Sequence, residues 1–147
     1  MTKLPDFLED SLNFNIYRTS LLLRREFIRS LAGQGITPEQ WQVMAVLEYS
    51  KNPVSQREIV ELSLKDKHTI SRIISKMEKN GWVTKNKDSK DARITVICLT
   101  TVGQALAKKI PGILKKRFKR IKNTISEDEK RAALITLKKM RTYLSDE

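Results

Sequence analysis

The sequence is poor in the residues that mark several classes of protein. A single cysteine, Cys98, excludes an internal disulfide framework and fits a reducing compartment. No apolar run approaches the ~20 residues of a membrane-spanning helix, and the N-terminal segment lacks the apolar core of a signal peptide. With five glycines and four prolines, the chain has no Pro/Gly-rich linker. We therefore expect a cytoplasmic protein with no membrane partner, folded as a single domain over residues 1–147.

Acidic residues are missing from residues 101–125, which hold eight lysines and arginines. The formal net charge of the chain is +12, and residues 51–100 contribute 11 basic against 6 acidic residues, whereas residues 1–50 hold 5 and 6. A basic excess confined to one stretch favours a polyanionic partner, nucleic acid first and an anionic membrane surface second. Charge alone leaves a solvated basic face equally open.

Residue clusters typical of catalytic or metal sites are also missing. His68 and Cys98 are the only histidine and cysteine, and no carboxylate cluster lies near either of them. No Ser/His/Asp or Cys/His arrangement suggests nucleophilic catalysis. We therefore predict neither an enzyme nor a metal or cofactor site. Cys98 lies in an apolar segment and is interpreted as a small buried hydrophobic residue.

Signals for helix starts are abundant. Residues 37–40, 55–58 and 126–129 each place Ser or Thr three residues before Gln or Glu, which is the capping-box pattern. Apolar residues at spacings of three and four predict a mostly helical chain. Pro111 should kink one of these helices near Ala107. The predicted helices span about residues 6–32, 38–50, 56–62, 67–80, 102–125 and 127–144.

The fourth predicted helix has two unlike faces. Ile70, Ile73, Ile74 and Met77 form an apolar face, and the opposite face is polar and basic. An α-helix fits the major groove of DNA, where each base pair presents a distinct pattern of hydrogen-bond donors and acceptors. Thr69 and Ser71 are expected near base edges, Arg72 near guanine or a phosphate, and Lys76 near phosphates. The candidate DNA-binding residues in and before this helix are Gln56, His68, Thr69, Ser71, Arg72 and Lys76.

A charged turn, "DSKDA", separates two predicted strands at about residues 82–87 and 93–100. Cations projected by such a turn can lie along the minor groove or the DNA backbone, so Lys87, Lys90 and Arg93 are candidate contacts. Asp91 lies two residues before Arg93 and can orient its guanidinium or tie the turn to the helices. Taken alone, the hairpin leaves the interpretation as an ordinary surface turn open. The order helix, short helix, basic helix, hairpin predicts a winged helix-turn-helix that binds DNA.

Three segments resemble the MarR family of transcriptional regulators. They are "HTISRIISKMEKNGWV" (residues 68–83), "DSKDAR" (88–93) and "LTTVG" (99–103). They are similar to the family's recognition helix with its L-E-x-x-G-[LW]-[VI] ending, its D-x-R wing motif and the L-T-x-x-G start of the next helix. Ala92 stands where many members carry a basic residue and Lys85 where many carry arginine, which shifts the expected wing contacts toward Lys87 and Lys90.

The resemblance implies a mainly α fold with a small β-hairpin wing and a winged helix-turn-helix over about residues 37–100. It further implies a homodimer joined through dimerisation helices at about residues 1–32 and 102–147, binding double-stranded DNA at a pseudo-palindromic operator. Asp91 would stabilise the wing and Arg93 would enter the minor groove. The spacing of Ala133, Leu137, Met140 and Leu144 agrees, because such a seam at a chain end often pairs with another chain.

We therefore expect a sequence-specific DNA-binding regulator, a homodimeric repressor released by a small-molecule effector. An effector-independent activator or architectural DNA-binding protein stays open, as does a winged-helix module that binds protein. The basic run at residues 108–122 is interpreted as a solvated face beside the dimer interface rather than a second contact to DNA. Pro111 and Gly112 interrupt the continuous apolar face that a membrane-surface helix needs.

Overall fold

The computed structural model describes residues 3–51 and 53–145, and it confirms a mainly helical fold with a small antiparallel sheet. Contacts group the chain into two compact units, one up to Ile113 and one from Leu114 onwards. The elements are α1 (Asp6–Glu9), α2 (Leu12–Leu31), a 3-10 turn (Ala32–Gln34), α3 (Pro38–Ser50), β1 (Val54–Ser55), α4 (Gln56–Ser63), α5 (Lys67–Lys79), β2 (Val83–Lys87), β3 (Thr95–Leu99), α6 (Thr101–Arg117), α7 (Lys119–Thr124) and α8 (Glu127–Ser145).

All three predicted capping boxes are present. At the start of α3, the Thr37 hydroxyl accepts from the Gln40 amide at 3.1 Å, and the Gln40 side chain accepts from the Thr37 amide at 3.0 Å. The pair at the start of α4 and the pair at the start of α8 make the same reciprocal bonds. Each box satisfies two amides that have no partner inside the helix, which explains why these helices start where the sequence predicts.

The prediction of one continuous first helix over residues 6–32 is wrong. The chain leaves the helix at Asp10, and Ser11 caps a new helix by accepting from the Phe14 amide at 3.3 Å. The Asn15 side chain donates to the carbonyl oxygen of Glu9 at 2.6 Å, so side chains replace part of the bonding lost at the break. The hydrogen bond of Ser11 to the backbone therefore starts a new helix here, although the apolar spacing continues through this position.

The predicted helix over residues 102–125 is also divided. It ends at Arg117, and α7 begins after Phe118. Phe118 still donates to the carbonyl oxygen of Leu114 at 2.9 Å and accepts from the Lys122 amide at 3.1 Å, so hydrogen bonding continues across the break between the two helices. Pro111 lies inside α6, and the bend that we expect near Ala107 stays a prediction.

The hairpin is confirmed, with strands slightly shorter than predicted and with a third strand that the sequence did not reveal. β2 pairs with β3 in an antiparallel register from Val83 opposite Leu99 to Lys87 opposite Thr95. β1 adds to the other side of β3, with Val54 opposite Ile97. A two-residue strand is too short to show the alternation by which strands are recognised in a sequence.

The apolar face predicted for α5 packs into the core of the first unit. Ile70, Ile74 and Met77 are fully buried, together with Met44 of α3 and Ile59 of α4. The core is therefore placed behind α5 and holds that helix from one side only, leaving its opposite side at the surface.

One residue is less buried than we predicted, and one large apolar residue lies at the surface. Leu62 of α4 is 61% exposed, because Ile59 and Ser63 occupy the buried side of this eight-residue helix. Cys98 is half-buried rather than buried, since it lies on β3 opposite the exposed Thr84. Among the residues described, no helix has the length and apolar character needed to cross a bilayer.

Candidate nucleic-acid interface

The start of α5 is fixed by Asp66. Its side chain accepts from the Thr69 amide at 2.9 Å and from the Thr69 hydroxyl at 2.5 Å. The hydrogen bond from the Thr69 side chain is the main cause that lowers the pKa of Asp66 below its ordinary value of 3.8. A carboxylate at this end also interacts favourably with the helix dipole. Asp66 is therefore the N-cap of α5, and its side chain holds the first turn through two hydrogen bonds.

The outward side of α5 carries most of the predicted contacts. Arg72, Lys76 and His68 are exposed, whereas Thr69 and Ser71 are half-buried at the two margins. Spacings of three and four residues place Thr69, Arg72 and Lys76 on one stripe along the helix. One hydroxyl and two cations therefore lie in a row on the outward side of a helix whose opposite face is buried in the core.

The end of α5 is defined by Gly81, whose φ of 73° is a left-handed conformation that suits glycine. The Gly81 amide donates to the carbonyl oxygen of Glu78 at 2.9 Å, and the Trp82 amide donates to that of Met77 at 3.0 Å. The chain therefore turns directly from the helix into the wing strand β2, as the sequence predicts.

The wing turn is held by two aspartates. Asp88 accepts from the backbone amides of Lys90 and Asp91 at 2.9 and 3.1 Å. Asp91 accepts from the Arg93 amide at 3.0 Å and from Arg93 Nε at 3.2 Å. The Arg93 side chain is nonetheless 93% exposed, and Lys87 and Lys90 are exposed as well. The backbone of the turn is thus held by hydrogen bonds, and its cationic side chains are exposed to solvent.

Sequence reasoning missed the part played by Asp88. Aspartate at the first position of a turn commonly accepts from the amide two residues on, and the sequence "DSK" carries that signal. We also did not predict the contacts of Lys85. Its Nζ lies 3.5 Å from Ser75 Oγ and 3.7 Å from Glu78 Oε1. It therefore ties the wing strand to α5 from within the same unit.

An open groove runs between the wing and the start of α4. It brings together Gln56 and Arg93, which the sequence predicted as contacts, with Arg57 and Lys67, which it did not. Arg57 forms an exposed ion pair with Glu61 at 3.0 Å. Such pairs are weak in water, so this cation can exchange its partner for a phosphate at little cost. His68, Thr69, Ser71, Arg72 and Lys76 do not line this groove and lie along α5 instead.

The α5 stripe and the wing both present cations to solvent, at Arg72 and Lys76 on the helix and at Lys87, Lys90 and Arg93 on the hairpin. Helical side chains of this kind reach base edges in the major groove, and exposed cations on either side meet phosphates. Of the predicted residues, Thr69, Arg72 and Lys76 share the stripe, Gln56 and Arg93 share the groove, and Lys87 and Lys90 lie on the hairpin.

Comparison with known proteins gives the same picture. A sequence model of the MarR family matches residues 34–94. YkoM of Bacillus subtilis (strain 168), described as an uncharacterised HTH-type transcriptional regulator, is 30% identical over 112 residues, which are 76% of this chain and 72% of YkoM. The HTH-type transcriptional regulator TtmR of Methylorubrum extorquens (strain PA1) is 29% identical over 140 residues, 95% of this chain and 70% of TtmR.

A solved structure of the transcriptional repressor CouR, bound to a 23-mer DNA duplex, has the same fold. Its TM-score is 0.85 at 22% sequence identity, over 95% of this chain and 99% of that one. At this level of identity the likeness concerns the fold, and the roles of individual side chains rest on the geometry described above.

Proposed function

The chain belongs to the MarR family of transcriptional regulators, and from that premise we propose that it binds a specific DNA sequence with α5 in the major groove and the wing beside the minor groove. One observation carries the proposal. Thr69, Arg72 and Lys76 form an outward stripe on a helix whose other side, at Ile70 and Ile74, is fully buried. A helix held in this way can enter a groove without leaving the core.

Each contacting residue has a role that follows from its chemistry. Arg72 reads guanine through two parallel hydrogen bonds, and Lys76 neutralises a phosphate. Arg93 enters the minor groove, where the narrow groove concentrates negative potential, and Asp91 holds its guanidinium. His68, Ser71, Gln56, Lys87 and Lys90 complete the proposed contact surface.

We propose a homodimer as the binding unit. Apolar side chains remain exposed within each unit of the chain, on α2 at Tyr17, Leu21 and Leu22 and on α8 at Leu134 and Ile135. Apolar side chains exposed in such number on neighbouring turns mark interaction surfaces. Two recognition helices ~34 Å apart would then enter successive major grooves of a pseudo-palindromic operator. Light scattering should give twice the 17.0 kDa mass of one chain.

The regulatory outcome that we propose is repression relieved by a small-molecule effector. The similar protein CouR is a transcriptional repressor. An effector would act by binding more tightly to a state in which the two recognition helices have the wrong spacing for DNA, and it shifts the equilibrium by that difference in affinity. The proposed activity is binding without a catalytic step, and its location is the cytoplasm, where DNA is accessible.

The test is selection of duplexes from a random library with the purified protein, followed by titration of the selected duplex at several salt concentrations. We expect one enriched motif and an affinity that falls steeply with salt, because phosphate contacts release counterions. Arg93→Ala should flatten the log–log salt slope by about 0.9 if Arg93 neutralises one phosphate charge. Arg131→Ala, at an exposed arginine of α8, removes the same charge and should leave the slope unchanged.

An absence of any enriched motif would contradict the proposed function. An unchanged slope for Arg93→Ala would contradict the wing assignment alone, because the helix contacts do not depend on that residue.

A further inference from the structure

The hydrogen bond between Thr69 and Asp66 fixes the direction of the Thr69 hydroxyl. Thr69 Oγ1 lies 2.5 Å from Asp66 Oδ2, and Asp66 Oδ1 accepts from the Thr69 amide. An ionised carboxylate only accepts, so the proton in the shorter bond must come from threonine. A hydroxyl has one proton, and Thr69 therefore has none left to donate to DNA.

What Thr69 can still offer to a partner is an acceptor and a methyl group. Thr69 is half-buried at the start of α5, on the stripe that it shares with Arg72 and Lys76. Its hydroxyl oxygen keeps a free lone pair, and its Cγ2 is apolar. In the major groove, adenine and cytosine present amino donors and thymine presents a methyl group, whereas guanine presents only the acceptors O6 and N7.

We propose that Asp66 sets the base preference of Thr69, so that α5 accepts adenine, cytosine or thymine at the base that Thr69 meets and disfavours guanine there. This inference rests on the proposed function, because it assumes that α5 lies in the major groove. Asp66 is a positioning residue that acts through Thr69. Asp66 therefore disfavours guanine as well as favouring the other bases, because two hydrogen-bond acceptors that face each other without water between them repel.

The polarity of this pair can be reversed with a single substitution. In Asp66→Asn the amide oxygen still accepts from the Thr69 backbone amide, and asparagine is as good an N-cap as aspartate. The Asn amide nitrogen, however, now donates to Thr69 Oγ1. The threonine proton is released toward DNA, where it can be donated to O6 or N7 of guanine.

The experiment is selection from a random duplex library with the full-length wild type, Asp66→Asn, Thr69→Val and Thr69→Ser. In the wild type we expect guanine to be disfavoured about tenfold at one position of each half-site. Asp66→Asn should bring guanine at that position to within a few-fold of the other bases. Thr69→Val keeps the methyl group and should retain thymine while losing the preference for adenine and cytosine, whereas Thr69→Ser should do the reverse.

The outcomes separate this inference from the proposed function. A wild type that enriches no motif overturns the proposed function itself. A wild-type motif that stays the same in all three variants overturns the inference and leaves the proposed function standing. A change with Thr69→Val but none with Asp66→Asn overturns the role of Asp66. Melting temperatures show whether each variant is folded, and a wild-type motif that favours guanine at that position overturns the inference whatever the variants do.

Discussion

The side-chain hydroxyl of Thr100 donates a 2.5 Å hydrogen bond to the backbone carbonyl oxygen of Gly81. The same hydroxyl accepts from the Gly103 amide at 3.0 Å, and the Thr100 amide donates to the carbonyl oxygen of Trp82 at 3.0 Å. One residue therefore joins the end of α5, the entry to the wing and the start of α6. The relative placement of the recognition helix and the wing depends on this junction.

Thr100→Val removes the hydroxyl at nearly constant volume and leaves the Gly81 carbonyl and the Gly103 amide without this partner. We expect the free energy of unfolding to fall by about 1–3 kcal/mol, mainly because Gly103 is buried and its amide loses its partner, whereas the exposed Gly81 carbonyl can bond to water. Urea titration followed by circular dichroism measures the loss. Thr100→Ser keeps the hydroxyl and should lose clearly less; equal losses in the two variants would rule out the hydrogen bonds as the cause.

Gly103→Ala should be among the most damaging single-methyl changes in the chain. A Cβ at this buried position would overlap the backbone carbonyl of Trp82, which cannot move without disturbing the wing entry. We expect a loss of at least ~1–3 kcal/mol, the usual range for overpacking. Gly112→Ala is the matched control in the same helix, because an added Cβ there meets no described atom within 4 Å beyond its chain neighbours and its own helix backbone. It should stabilise the protein by about 0.5–1 kcal/mol, and a similar loss in both variants would contradict the packing argument.

Asp91 offers a comparison in which charge is held constant. Asp91→Ala and Asp91→Asn both remove a negative charge near the DNA, but asparagine keeps an oxygen that can accept from the Arg93 amide, now 3.0 Å from Asp91. We expect Asp91→Ala to bind the selected duplex about 1 kcal/mol more weakly than Asp91→Asn. Fluorescence anisotropy at fixed salt gives both affinities. If the two variants bind equally well, the wing does not need this hydrogen bond.

Acid should weaken the helix caps. Hydrogen bonds from the Ser55 side chain and backbone lower the pKa of Glu58 below its ordinary value of 4.5. The folded-state pKa is thus below the unfolded one, so the stabilisation is fully present above about pH 5 and is lost as the pH falls through the lowered pKa. The contribution of Glu58 to the free energy of unfolding should be constant from pH 7 to about pH 5 and should decline at lower pH. Glu58→Gln keeps a capping side chain that does not titrate, and its decline should be shallower; an identical decline would exclude Glu58 as a contributor.

The sequence predicted the recognition helix and its wing because several local signals agree there. Ile70, Ile74 and Met77 follow the helical period, Asp66 supplies a cap, and Gly81 supplies a left-handed stop. The ion pair between Asp91 and Arg93 is a contact across two residues, and contacts this local can be inferred from spacing alone.

Features that depend on tertiary context could not be predicted. The break at Ser11 competes with a strong apolar period, and only its hydrogen bonds decide the outcome. The exposure of Leu62 follows from how the eight-residue α4 is rotated against the core. Arg57 and Lys67 join Arg93 only because the wing folds back beside α4, which no spacing in the sequence encodes.

The most direct test of the account is the DNA binding of Arg72→Ala. Arg72 is exposed in the middle of the α5 stripe, away from the buried Ile70 and Ile74, so its loss should leave the melting temperature unchanged. We expect the binding free energy for the selected duplex to weaken by about 1–3 kcal/mol and the base preference to be relaxed at one position of each half-site. An Arg72→Ala protein that selects the same sequence with the same affinity as the wild type would contradict it.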